Sequence, residues 1–263
     1  MKTLLQLGRA GERISGLEIV DMHGHLGAYN FAIPNLDPSS VVAAMDRVGV
    51  VKTLVSHMRC MSADAAWGNR QVLAAMQAFP GRLLGYAILW PSSAEDVRRE
   101  LEFCLSNGFT GIKLHNATGF AYTTPAYEPA YSIAEERRLP VLLHTYGEEP
   151  VFEQVAEITA KYPNIPIIMA HAGANNTPGY IRMAREHENV FLDLSLSASR
   201  RRLIEQFVAE AGAEKVMWGS DVLFYSQAHQ IGRVLGAEIT EEEKRKILSG
   251  NACRILGDVA GSG

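Results

Sequence analysis

Ile19-Val20-Asp21-Met22-His23-Gly24-His25 decides how the chain is read. A β-branched apolar run gives way to two histidines two residues apart, and residues i and i+2 of a strand share a face. The same figure returns down the chain. The run 53–56 leads to His57, 83–89 to Trp90, 111–114 to His115, 140–143 to His144 and 166–170 to His171. The run 190–194 leads to Ser195, and 215–218 leads through Gly219-Ser220 to Asp221. Most runs are four to seven residues long and bounded by Gly, Pro, Asn or Asp, which reads as buried strands. Between them apolar residues follow helical spacing. Examples are Val41, Val42, Met45 and Val48 after Pro38-Ser39, then Val72, Leu73, Met76 and Phe79, and later Val151, Val155 and Ile158.

The strand ends, taken at 25, 57, 90, 115, 144, 171, 195 and 221, lie 24 to 33 residues apart. Eight such units predict a single (β/α)8 TIM barrel, a fold that needs roughly 250 residues. A doubly wound sheet would also alternate, but no glycine-rich fingerprint follows the first strand. One domain is expected over 17–257, with 1–16 as a tail or barrel-bottom cap and 258–263 as a disordered tail. Thr240 with Glu243 three residues on predicts a capping box on a helix that closes the barrel.

Composition narrows the function. The 263 residues are 47% hydrophobic and 21% charged, which excludes disordered and low-complexity classes. A net charge of −4 argues against a nucleic-acid partner. No apolar run approaches the roughly 18 residues of a membrane span, and 1–16 lacks the apolar core of a secretory signal. Cys60, Cys104 and Cys253 are too scattered for a disulfide framework, so a reduced cytoplasmic protein is expected. Its expected partner is a small-molecule substrate. The outer helices allow a homodimer without demanding one.

Six of the eight histidines (23, 25, 57, 115, 144 and 171) and Asp221 fall at predicted strand ends, the face where such barrels build active sites. His187 and His229 fall elsewhere. A His-x-His pair alone fits two turn histidines as well as a metal site. Imidazole and carboxylate converging on one face fit a zinc-like ion with an open position.

Five motifs together resemble the amidohydrolase superfamily. They are Asp21-x-His23-x-His25, Gly111-Ile112-Lys113-Leu114-His115, His144, His171-Ala172-Gly173 and Gly219-Ser220-Asp221. The nearest branch is the amidohydrolase-related group (amidohydrolase family 2) that contains the aminocarboxymuconate semialdehyde decarboxylase type. Residues 246–256 are similar to that branch's last helix. The resemblance implies one divalent metal ion, zinc by preference with a second ion allowed, held by His23, His25, His144 and Asp221. It implies proton handling by Asp221 and His171. The expected activity is hydrolysis of a small ester, lactone or amide by metal-bound hydroxide. The alternatives are nonoxidative decarboxylation of an unsaturated or aromatic acid, and a catalytically inactive metal-binding barrel.

Other residues carry open readings. Some members of the superfamily have a carbamylated lysine on the fourth strand; for Lys113 an ion pair with Asp21 or another acid, or a substrate anchor, is the preferred reading. His115 fits a substrate contact or a hydrogen bond to its own loop. Arg59 fits a substrate carboxylate clamp or a solvated loop residue. Asp21 is expected to face the same way as His23, as a tautomer holder or a salt-bridge partner. Tyr29, Phe31, Trp90, Tyr146 and Phe224 would wall the pocket. The sequence departs from the branch after the eighth strand, where Val222-Leu223-Phe224 replaces the usual proline, and after Lys113, where His115-Asn116-Ala117 replaces His-Pro.

Overall fold

A computed structural model describes residues 2–260 except 15, 31, 35–36 and 197–199, with side chains to 257. The strands are β1 (Ile19–Leu26), β2 (Val50–His57), β3 (Leu83–Ile88), β4 (Gly111–Leu114), β5 (Val141–Leu143), β6 (Ile167–Met169), β7 (Val190–Asp193) and β8 (Val216–Met217). The helices are α1 (Leu4–Arg9), α2 (Pro38–Val48), α3 (Ala65–Ala78), α4 (Ala94–Ser106), α5 (Glu128–Arg137), α6 (Glu149–Lys161), α7 (Thr177–Glu186), α8 (Leu203–Ala211), α9 (Gln227–Gly236), α10 (Glu241–Arg245) and α11 (Asn251–Ala260).

The strands pair in parallel in chain order, β1 through β8. Backbone bonds from β1 to the segment after β8 close the ring: Met22 N donates to Trp218 O (3.1 Å), Asp221 N to His23 O (2.7 Å) and His25 N to Val222 O (2.6 Å). The expected TIM barrel is the observed fold.

Two apolar layers hold it. The large one lies between strands and helices; the inner one fills the barrel with Val20, Met22, Leu54, Tyr86, Leu142, Ile168, Phe191 and Met217, and Ala252 and Ile255 of α11 pack beneath it. Strands buried on both faces read as continuous apolar runs, which is why the pattern was visible. Helix starts follow local chemistry. Asp37 caps α2 by accepting from Ser40 N (3.0 Å), and Thr240 and Glu243 form the expected capping box on α10. Leu4 of α1 is buried, and its N–H donates to Glu241 (2.8 Å), tying the N-terminal segment to α10. Helix α11 runs to Ala260, into the segment expected as a tail; 261–263 lie outside the described residues.

One expectation fails. Asp21 does not face the same way as His23. The β1–β2 register slips between Asp21 and Gly24, where three residues of β1 answer two of β2. This bulge inverts the alternation. Val20 and Met22 point into the barrel, and beyond the slip His23 and His25 do so as well. Asp21 turns instead to α9, accepting from Gln227 Nε2 (2.8 Å), and to the turn after β8, accepting from Ser220 N (2.8 Å) and from the Ser220 hydroxyl.

Candidate metal centre

The bulge puts both β1 histidines at the barrel mouth, opposite the turn after β8. Asp221 in that turn has φ +57°, and its carbonyl accepts from Phe224 N (2.8 Å) and Tyr225 N (3.2 Å). His171 after β6 has φ +56°. Left-handed backbone in a residue with a side chain costs about 1–3 kcal/mol and marks sites held by their surroundings.

The donors of His23, His25 and Asp221 lie within 4.8 Å of one another. Asp221 Oδ1 is 3.1 Å from His25 Nε2 and 3.7 Å from His23 Nε2; the two Nε2 atoms are 3.1 Å apart. Asp221 Oδ1 is buried and receives no hydrogen bond. A buried carboxylate oxygen without a donor is costly unless a cation satisfies it. The set therefore fits a divalent ion with nitrogen and oxygen ligands. A second triad, His23, His171 and Asp193, meets the same distance test. Its atoms are already paired with protein: His23 Nδ1 with Asp193 Oδ2 (2.8 Å), His171 Nδ1 with Ser195 O (2.6 Å), and Asp193 Oδ2 with the Ser195 hydroxyl.

His144, expected as a fourth ligand, is not among the residues whose donors meet that 4.8 Å test. Its Nδ1 is 3.2 Å from His171 Nε2, its ring stacks on His115 at 3.8 Å between centroids, and its carbonyl accepts from Tyr122 (2.6 Å). Lys113 is buried at the base of the triad with Nζ 3.3 Å from His23 Nε2; it does not pair with Asp21. His115 Nδ1 accepts from Ala117 N (3.0 Å), a bond to its own loop. Arg59 is half exposed, 3.6 Å from Asp64 and over the Trp67 ring. Aromatic rings line the mouth. Phe224 packs on His25 and Tyr29, Trp90 on Phe120, and Tyr146 on His144 and His171. Phe31 lies outside the described residues.

Burial dominates the electrostatics. It holds His23 well below its usual pKa, with the Lys113 charge next, and pushes His144 down in the same direction, helped by His115. His171 falls to about 4 because burial outweighs the pull of Asp221. His115 falls to about 2 for the same first reason. Burial also lowers Lys113 and raises Asp193 to about 7 and Asp21 to about 6, against the donors that Ser195 and Ser220 supply. Neutral imidazoles are the ligand form of histidine.

Sequence reading missed Asp193 and Ser195. Both end an apolar run and both are fully buried, but Asp-x-Ser reads as an ordinary turn. The signal available was parity: Asp193 at the end of β7 and Ser195 two residues on share a face, as do the two histidines of β1.

The amidohydrolase family model matches residues 20–257, and the chain belongs to that family. No curated protein sequence matches it. Solved structures share the fold at low identity. A 4-oxalomesaconate hydratase from Rhodopseudomonas palustris is 18% identical with a TM-score of 0.73, covering 93% of this chain and 97% of that one. A 2,6-dihydroxybenzoate decarboxylase from Rhizobium is 16% identical with a TM-score of 0.71, covering 92% and 99%. A 5-carboxyvanillate decarboxylase from Novosphingobium aromaticivorans, solved with manganese and a nitrobenzoic acid, is 14% identical with a TM-score of 0.74, covering 92% and 96%. Among the described residues no helix is long and apolar enough to cross a membrane.

Proposed function

We propose that this chain is a metal-dependent hydrolase of a small ester, lactone or amide. The observation that carries the reading is Asp221 Oδ1, buried, without a donor, and 3.1 Å from His25 Nε2. Hydrolysis needs a group that takes a proton from water and returns it to the leaving group, and a carboxylate that gives one oxygen to the ion has a second oxygen for that task. A divalent ion held by His23, His25 and Asp221, zinc by preference, would supply the positive charge that polarises a carbonyl and acidifies water. The His171 Nε2 edge, with Nδ1 committed to Ser195 O, can orient the carbonyl or pass a proton. The Lys113 ammonium at the base of the triad can offset negative charge developing on the carbonyl oxygen. The aromatic rim keeps bulk water from the reacting atoms.

The decarboxylase reading is supported by kinship of fold with several decarboxylases, and fold alone does not carry function. A guanidinium clamp on the substrate carboxylate would favour it, and the candidate for that clamp, Arg59, is turned to Asp64 and Trp67 instead. Purified protein, stripped with chelator and reloaded with Zn2+ or Mn2+, should hydrolyse members of an ester, lactone and amide panel. Release of CO2 from aromatic acids without any hydrolysis would replace this reading with the decarboxylase one.

A further inference from the structure

We infer that the end of β7, which donates no atom to the His23–His25–Asp221 triad, sets the tautomers of two histidines on other strands, with Asp193 and Ser195 as positioning residues. The consequence for metal affinity rests on the cation site proposed above; the tautomers themselves do not.

His171 is fixed most simply. Its Nδ1 lies 2.6 Å from the carbonyl oxygen of Ser195, and a carbonyl can only accept. The proton must therefore sit on Nδ1, leaving Nε2 bare. His23 follows through Asp193. Its Nδ1 is 2.8 Å from Asp193 Oδ2, both side chains being fully buried. The carboxylate is also the acceptor for Ser195 N (3.2 Å) and for the Ser195 hydroxyl. With its hydrogen turned to Asp193, Ser195 Oγ offers only lone pairs to His23 Nδ1 (2.9 Å) and to His171 Nδ1 (3.3 Å). Every acceptor near the two Nδ1 atoms thus calls for a proton there.

The opposite edges of both rings then carry lone pairs toward the mouth. His23 Nε2 meets the Lys113 ammonium at 3.3 Å and His25 Nε2 at 3.1 Å, and His171 Nε2 meets His144 Nδ1 at 3.2 Å. A ring's second nitrogen decides what the first can bind. The clamp is stiff, because Ala172 N donates to Asp193 O (2.8 Å) and Leu194 N to Met217 O (3.1 Å), pinning β7 to both neighbours. Gly219 leaves room for it: a Cβ there would sit 2.2 Å from Asp193 Oδ1 and 2.6 Å from His23 Cβ.

The test is a two-bond 1H–15N correlation spectrum of metal-free, histidine-labelled protein at pH 8.5, with rings assigned from His23→Gln and His171→Gln spectra. Wild type should show His23 and His171 both protonated on Nδ1. In Asp193→Ala, His23 should lose that preference while His171, held by a backbone carbonyl, keeps it. Zn2+ affinity should fall about 10- to 100-fold. Finding either ring protonated on Nε2 in wild type overturns the inference, and that spectrum suffices if the variant does not fold. An Asp193→Ala variant in which His23 keeps its Nδ1 proton as in wild type also overturns it, whereas unchanged Zn2+ affinity beside a changed His23 tautomer would overturn only the consequence drawn for the cation site. Wild-type protein with both tautomers as stated but no hydrolysis of any panel member would sink the proposed activity alone.

Discussion

Gly219→Ala is the sharpest small perturbation of the site. Gly219 needs no left-handed backbone; its constraint is space. An added Cβ would lie 2.2 Å from Asp193 Oδ1, 2.6 Å from His23 Cβ and 3.1 Å from Asp193 Cγ, and real Cβ atoms essentially never come under 3.0 Å. The carboxylate must therefore yield by at least the 0.8 Å between 2.2 and 3.0 Å. It cannot do so freely, since Asp193 Oδ2 is bonded to His23 Nδ1 and to the Ser195 hydroxyl. Overpacking of this kind costs about 1–3 kcal/mol. For a chain of this size that lowers Tm by about 2–12 °C. The metal should suffer too, because the clash pushes on the β-carbon of a proposed ligand. Zn2+ affinity should drop about tenfold or more. Thermal unfolding of the stripped protein, with and without added Zn2+, reads both effects, since a ligand stabilises by RT ln(1 + [L]/Kd). Gly232→Ala in α9 is the control: its Cβ would meet nothing within 4 Å beyond its chain neighbours and its own helix backbone, and alanine there should stabilise by about 0.5–1 kcal/mol. A Gly219→Ala protein with wild-type Tm and wild-type Zn2+ response would refute the packing argument.

Three further outcomes are expected. Asp221→Asn should keep the fold and lower kcat for the hydrolysed substrate about 100-fold or more; full turnover would remove the proton role assigned to that carboxylate. Thr240→Ala removes the hydroxyl that accepts from Glu243 N, leaving the bond from the residue-240 backbone N–H to the Glu243 side chain in place, and should cost about 1 kcal/mol, or about 2–4 °C in Tm; no change would mean that the hydroxyl cap adds nothing to this helix. His57 is held down to about 4 from 6.5, first by burial and then by the Arg59 and His25 charges. As pH falls below 6.5 the unfolded chain therefore takes up this proton before the folded one. Stability contributed by the neutral ring is complete above 6.5 and is lost toward pH 4, at no more than about 1.4 kcal/mol per pH unit. Urea unfolding of His57→Gln across pH 4–7 should show a shallower acid limb than wild type, and an identical slope would contradict the shift.

The barrel was legible because its signals are local. A strand buried on both faces has nothing polar to interrupt it until it reaches the mouth, so each apolar run ended at the residues that matter, from His25 to Asp221. The α10 cap was equally plain, since Thr240 and Glu243 satisfy each other within four residues. The β1 bulge was not legible. Its register is set by β2, and nothing in Asp21-Met22-His23 says that the alternation slips there. Asp21 was accordingly expected beside His23 and is found against α9. The chemistry of Asp193 and Ser195 was hidden for a related reason. Their partners His23 and His171 are 170 and 24 residues away, and only closure of the ring makes them neighbours. His144 shows the same limit: its place after β5 was readable, but its approach to His171 and its stacking on His115 depend on how far each loop carries the ring inward.

The account rests on a cation shared by β1 and the turn after β8. Crystals of the protein soaked in Zn2+ and measured at the zinc absorption edge test it most directly. The predicted result is one anomalous peak about 2.0–2.2 Å from His23 Nε2, His25 Nε2 and an Asp221 oxygen. A peak bound elsewhere, or a mouth with no peak at saturating zinc, would contradict it.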